Sequence, residues 1–138
     1  MKITSVVLEP NDAVNIVVGA IEGGTGYWAE CTDYKWKRWY VNPDAKFDDP
    51  DHDKLRDIPR DEVLVRIKED EDNGEPTREV NDWFEITTEK LERAVCAVLN
   101  SEYAHTISFS AYGGEIDVDA TGADIIFQYA MFGELVFA

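Results

Sequence analysis

Hydrophobic positions change period several times along this chain, and each change predicts an element. "MKITSVVL" is rich in β-branched residues and predicts a β-strand. Val14, Val17, Val18 and Ile21 then recur at i, i+3, i+4 and i+7, which is one face of a helix over about 12–22. Asn11 or Asp12 is placed to cap its start, and Gly23 and Gly24 to close its end with a positive φ. "GYWAECTDYKWKRWYV" predicts a second strand, with Tyr34, Trp36 and Tyr40 on one face and Lys35, Lys37 and Trp39 on the other. In "EVLVRIKED", Val63, Val65 and Ile67 alternate with charged residues, the pattern of a half-buried strand. Asn73-Gly74 supplies a turn, and "TREVNDWFEIT" its partner strand.

The period returns to helical in "TTEKLERAVCAVLNSE". There Leu91, Val95, Val98 and Leu99 share a face and Thr87 or Thr88 is the cap, predicting a helix over about 88–100. "HTISFSAYGGEIDVD" reads as a strand or a short hairpin turning at Gly113-Gly114. A third helix follows over about 122–132, starting near Thr121 and ending near Gly133. Adjacent strands with three separate helices predict an α+β fold, an antiparallel sheet with helices packed against it.

Between Tyr40 and Glu62 the pattern stops. "NPDAKFDDPDHDKLRDIPRD" is polar, carries Pro43, Pro50 and Pro59, and predicts a long acidic loop at about 42–61. Its length marks a functional or mobile insert. No repeat and no linker interrupts the chain, so its 138 residues are expected to form one domain. A domain of this size buries roughly two thirds of its unfolded surface and needs neither a disulfide nor a metal to fold. Four Trp, six Tyr and six Phe argue for a packed core.

Charge changes the picture. The net charge is −16, concentrated in residues 44–85, where sixteen acids face seven bases. Such a field repels nucleic acid and anionic membranes and attracts basic surfaces. Two readings stand: a solubility or salt-adapted surface, or a surface that imitates the phosphates of DNA and competes for the Lys and Arg that bind them. The N-terminus has no signal-peptide pattern and no apolar run reaches spanning length, so a cytoplasmic protein is expected. Cys31 and Cys96 are not in a CxxC pair and are expected to be free.

Catalytic chemistry finds little support. His52 and His105 stand in no catalytic context, and "EGGTGYW" places Tyr27 and Trp28 where a phosphate loop requires other residues. Two stretches approach a calcium loop. "DPDHDKLRDIPR" offers Asp49, Asp51 and Asp53, but has Lys54 at the turn position and Arg60 at the bidentate position. "DVDATGADIIFQ" offers Asp117, Asp119, Thr121 and Gly122, but ends in Gln128, which cannot supply a charged bidentate pair. No metal and no cofactor is expected. "YKWKRWY" interleaves bases with aromatics, as single-strand binders do, but three cations do not offset the total charge.

The last helix poses the sharpest question. "ADIIFQYAMFGELVFA" is apolar almost all round, so it is buried on most sides, yet it holds Asp124 and Gln128 one turn apart. A carboxylate there must be paired, hydrogen-bonded or open to a pocket. One reading is structural: Asp124 helps the helix N-terminus and Gln128 reaches solvent. The other is a polar strip lining a cleft with Glu22, Tyr27 and Trp28, which suits a small planar ligand such as a nucleotide.

"EGGTGYWA" behind a short first helix, "WFEITTEKLERAV" in the middle and "ADIIFQYAMFGELVF" at the end together resemble a group of small acidic bacteriophage and prophage proteins, often from phages of actinobacteria. Those proteins look like "EGGxxYW" at the front and "ADxIxQxAxFGExV" at the back; the acidic middle matches nothing in them. No activity is assigned to the group, so the resemblance implies context and no catalytic residue. A small acidic accessory phage protein acts on a host component, a host defence protein among them.

Two function classes therefore compete, with an enzyme a distant third. The first is a non-enzymatic binder that blocks a basic, nucleic-acid-binding host protein through Asp48, Asp49, Asp51 and Asp53. The second is a small-ligand binder using Glu22, Tyr27, Trp28, Asp124 and Gln128.

Overall fold

Val65 and Ile67 are fully buried at the centre of a three-stranded antiparallel sheet. In the computed structural model, which describes residues 2–32, 34–69, 83–109 and 116–137, the sheet runs β1 (Ala29–Thr32), β2 (Val63–Glu69) and β3 (Phe84–Thr87), in that spatial order. Cys31 pairs with Ile67, and Ile67 with Phe84. Helices α1 (Pro10–Gly19), α2 (Thr88–Leu99) and α3 (Ala120–Phe132) complete the core, and a two-stranded ladder of β4 (Ser108–Phe109) and β5 (Ile116–Asp117) leads into α3. The fold is an α+β domain with three helices and an antiparallel sheet, as the changes of period predict.

Helices α2 and α3 follow their local signals. Thr87 Oγ1 accepts from Lys90 N at 3.3 Å and starts α2. Leu91, Val95 and Val98 are fully buried on its inner face. Asp119 Oδ1 accepts from Gly122 N at 2.8 Å and starts α3. Gly133, at φ 75°, ends it in the left-handed conformation that costs glycine little.

Other elements depart from expectation. Helix α1 starts two residues early: Glu9 is its cap, Pro10 its first residue, and Asp12 Oδ2 accepts from Glu9 N at 3.2 Å. Its end passes into a π-helical turn, Ala20–Gly24. Gly23 and Gly24 have no positive φ. They are needed because α3 crosses there: a Cβ on Gly24 would lie 2.4 Å from the Ala120 carbonyl oxygen.

Residues 2–9 form no strand. They lie along α2, tied by side chains: Ile3 N donates to Asn100 Oδ1 at 2.8 Å, and Leu8 N to Glu92 Oε2 at 2.8 Å. The β-branched run has no ladder to join, and strand propensity without a partner edge makes no strand.

"GYWAECTDYKWKRWYV" yields only β1, followed by a 3-10 turn over Trp36–Trp39. The turn reverses the expected faces: Trp39 is fully buried, while Trp36 faces solvent. In β2 the alternation is broken by a bulge between Val63 and Val65, which buries Leu64 as well. Arg38 Nη2 donates to the carbonyls of Val63 and Leu64 at 2.9 and 2.7 Å, satisfying the irregular backbone. The expected turns at Asn73-Gly74 and Gly113-Gly114 lie outside the described residues, as does much of the expected strand preceding Trp83.

Candidate functional site

Tyr27, Trp28, Asp124 and Gln128 meet at one point. The π-helical turn brings the "GYW" segment against the first turns of α3. Trp28 Nε1 donates to Asp124 Oδ1 at 2.7 Å, and the Tyr27 hydroxyl donates to Asp124 Oδ2 at 2.8 Å. Gln128 Nε2 lies 3.2 Å from both Asp124 oxygens. The carboxylate is nearly buried, and its two oxygens receive donors from three side chains. This is how an apolar helix tolerates an acid at that position.

Gln128 does not reach solvent; it is fully buried. Its amide clasps the chain that returns over α3 after Gly133. Gln128 Oε1 accepts from Val136 N at 2.9 Å and Phe137 N at 2.7 Å, and Nε2 donates to Phe137 O at 2.9 Å. Phe137 is thereby laid on Trp28, ring centroids 5.1 Å apart and planes within 10°. Phe132 packs on Trp28 at 5.7 Å. The flat surface that Trp28 could offer a ligand is thus covered by the chain's own aromatic rings.

Burial and the adjacent carboxylate push the Tyr27 hydroxyl up to about 12. Glu22 is not part of the cluster. It is exposed, and its carboxylate hydrogen-bonds Tyr34, whose hydroxyl burial and Glu22 push up to about 12. Beside the cluster, Gly23, Gly24, Tyr27, Ala120, Thr121 and Asp124 line an open cleft of about 400 Å³.

The acidic loop is the second place of interest. Its base is pinned: Val41 N donates to Lys54 O at 2.8 Å, Arg56 N to Trp39 O at 2.9 Å, and Arg56 Nε to Arg38 O at 2.7 Å. Short turns shape its tip, with Asp49 Oδ1 accepting from Asp51 N at 2.9 Å. Asp48, Asp51 and Asp53 are exposed and Asp49 is half-buried. Among the described residues none of the four pairs with a Lys or Arg, whereas Asp44 lies 3.8 Å from Lys37. Phe47, directly before these acids and after Lys46, is 89% exposed and touches the His52 ring at 5.3 Å. Phe47 is not among the residues that the sequence pattern singles out, although an aromatic directly before four acids in a proline-bounded loop is a visible signal.

Two further features were not foreseen. Glu92, nearly buried on α2, accepts from both Leu8 N and Arg60 Nη2, joining the N-terminal segment, the loop's end and the helix. The Val136–Phe137 backbone clasp has no periodic signature, and Gly133 is its one local clue. Among the described residues, no cluster of three or more His, Cys, Asp or Glu is arranged to hold a metal ion, and no helix is long and apolar enough to cross a membrane. Cys31 and Cys96 are free thiols.

No family model, no curated protein and no solved structure matches this chain.

Proposed function

We propose that the protein is a non-enzymatic phage accessory protein that binds a basic, nucleic-acid-binding host protein, a defence protein among the candidates, and blocks it by standing in for DNA. The observation that carries this reading is the loop. Asp48, Asp49, Asp51 and Asp53, without a cationic partner among the described residues, follow an exposed Phe47 in sequence, on a segment whose base is held by backbone hydrogen bonds. Unpaired acids supply long-range attraction and orientation. An exposed aromatic supplies the apolar contact from which affinity comes. A solubility surface has no use for the second.

Salt separates this reading from a bland acidic surface. The Debye length is about 8 Å near physiological ionic strength and about 3 Å at 1 M, so distant charges cease to contribute. The test immobilises the full chain, captures DNA-binding proteins of a bacterial host, and challenges the complex with duplex DNA. The expected result is capture that weakens steeply with salt, is displaced by duplex DNA, and is lost when Asp48, Asp49, Asp51 and Asp53 are all changed to Asn. Capture that survives this neutralisation at low salt overturns the proposal for this loop.

A small-ligand binder is the second reading, favoured by the open cleft beside Tyr27 and Asp124. It predicts the opposite pattern, in which the loop acids are dispensable and Thr121 and Tyr27 are decisive.

A further inference from the structure

An apolar cleft lies between α2 and α3. Ala94, Ala97, Ala130 and Gly133 form a floor of small residues, Phe84 and Tyr129 stand as walls, and the volume is about 370 Å³. That is the low end of the range for sites that enclose a small group, roughly 300 Å³ and above, and it accommodates one aromatic ring. Its rim is basic, which is unusual in a chain of net charge −16. Lys90 and Arg93 both line it. Lys90 Nζ donates to the Glu85 carbonyl at 2.9 Å and sits 4.5 Å over the Phe84 ring, so its charge is held at the groove. Neither Lys90 nor Arg93 forms an ion pair with a carboxylate among the described residues. They are the only two bases after residue 85, against eight acids.

The chain also carries the complement of this groove. Phe47 is a single exposed ring with Lys46 before it and Asp48 and Asp49 directly after it, and neither acid has a cationic partner among the described residues. An apolar knob followed by a pair of acids and an apolar hole with a basic rim stand on one molecule. Phe47 is 89% exposed, so it is not seated in the groove of its own chain.

We infer that the occupant of the α2–α3 groove is the acidic loop of a second copy of this chain. Phe47 enters between Ala94, Ala97 and Tyr129, and Asp48 and Asp49 meet Lys90 and Arg93. The contact is head-to-tail. It closes as a dimer if both loop–groove contacts form at once, and it continues to longer species if they do not. Association is opposed by the like net charge of the two copies, so it strengthens at first as moderate salt screens that repulsion. It weakens at high salt, when the local pairs are screened as well. Self-association occupies the same loop that the proposed partner would engage. It therefore holds that surface in reserve, and free partner competes with the second copy for it.

The inference does not rest on the proposed function, because its test uses the purified full chain alone. Sedimentation velocity across a wide concentration range should show reversible self-association. Phe47→Ala should weaken it by about tenfold or more, the scale of a central aromatic contact. Ala97→Glu, which blocks the groove from an exposed position of α2, should do the same without unfolding the chain. Charge reversal supplies the decisive arm. The loop variant D48K/D49K and the groove variant K90E/R93E should each be monomeric alone and should associate when mixed, because the reversed loop fits the reversed groove. A wild-type chain that stays monomeric throughout, self-association indifferent to Phe47→Ala, or no association in the mixture overturns the inference.

Discussion

Trp28 and Asp124, 96 residues apart in sequence, are joined by a short hydrogen bond, 2.7 Å from indole nitrogen to carboxylate. The bond does two things. It gives a fully buried indole its only kind of partner, an acceptor, and it gives a buried carboxylate a donor. Removing the acid leaves the indole N–H without this partner and takes away one of the Tyr27 hydroxyl's acceptors, leaving it the Phe137 carbonyl at 3.1 Å. Asp124→Ala should therefore destabilise the fold by about 1–3 kcal/mol, the range for an orphaned buried donor. Asp124→Asn, which keeps one carbonyl oxygen in place, should cost less. Urea unfolding of the two variants side by side checks the order.

Gln128 makes a different prediction. Its amide is the clasp on Val136 and Phe137, and through Phe137 it completes the packing on Trp28. Gln128→Ala should free residues 134–137 while α3 persists, because the helix is capped at both ends by Asp119 and Gly133. Hydrogen exchange should rise at the Val136 and Phe137 amides far more than at amides within α3. Global stability should fall by about 2–4 kcal/mol, combining a lost buried side chain with lost hydrogen bonds.

What sequence reasoning reached and what it missed divide along one physical line. The start of α2 at Thr87 and both ends of α3 near Thr121 and Gly133 were legible because caps and apolar faces are local signals. The grouping of Tyr27 and Trp28 with Asp124 and Gln128 was legible because a carboxylate on an apolar helix demands partners. Glu22 was misplaced because adjacency in sequence does not say which way a π-helical turn points a side chain. The N-terminal run predicts a strand because Ile3, Thr4, Val6 and Val7 have strand propensity, but propensity does not reveal whether a sheet edge is free to receive them. Trp36 and Trp39 depart from the expected faces because the strand ends at Thr32 and a 3-10 turn follows, where the two-residue alternation no longer applies. The Gln128 clasp depends on a chain reversal whose path no periodicity encodes.

Tyr27 links stability to alkaline pH. Burial and Asp124 raise its hydroxyl from 10.0 to about 12. The folded state therefore holds this proton at pH values where the unfolded chain has released it, and stability falls as pH rises. The contribution is fully present below about pH 10 and is lost as pH climbs toward 12. Above that, a phenolate faces the Asp124 carboxylate. Tyr34 is raised in the same way beside Glu22, so the two must be separated by substitution. Stability measured across this window for wild type and Tyr27→Phe should show a shallower alkaline decline in the variant, with the Tyr34 component remaining. Identical slopes would remove Tyr27 from the account.

Two glycines two residues apart should answer oppositely to the same substitution. A Cβ on Gly24 would lie 2.4 Å from the Ala120 carbonyl oxygen and 3.1 Å from the Asp124 Cβ. The first is backbone at the capped start of α3 and the second is the root of the buried carboxylate, so neither can yield without moving the helix. Gly24→Ala should cost about 1–3 kcal/mol, the usual penalty for overpacking, and should also loosen the Tyr27 and Trp28 hydrogen bonds as α3 shifts. Gly26 has nothing within 4 Å of the corresponding Cβ and no positive φ. Gly26→Ala should leave stability within about 0.5 kcal/mol or raise it slightly, by reducing the freedom of the unfolded chain. Urea midpoints for the pair decide the matter. Equal losses at both positions would mean that the segment is sensitive to backbone freedom, and that the close approach of α3 does not set the requirement for glycine at position 24.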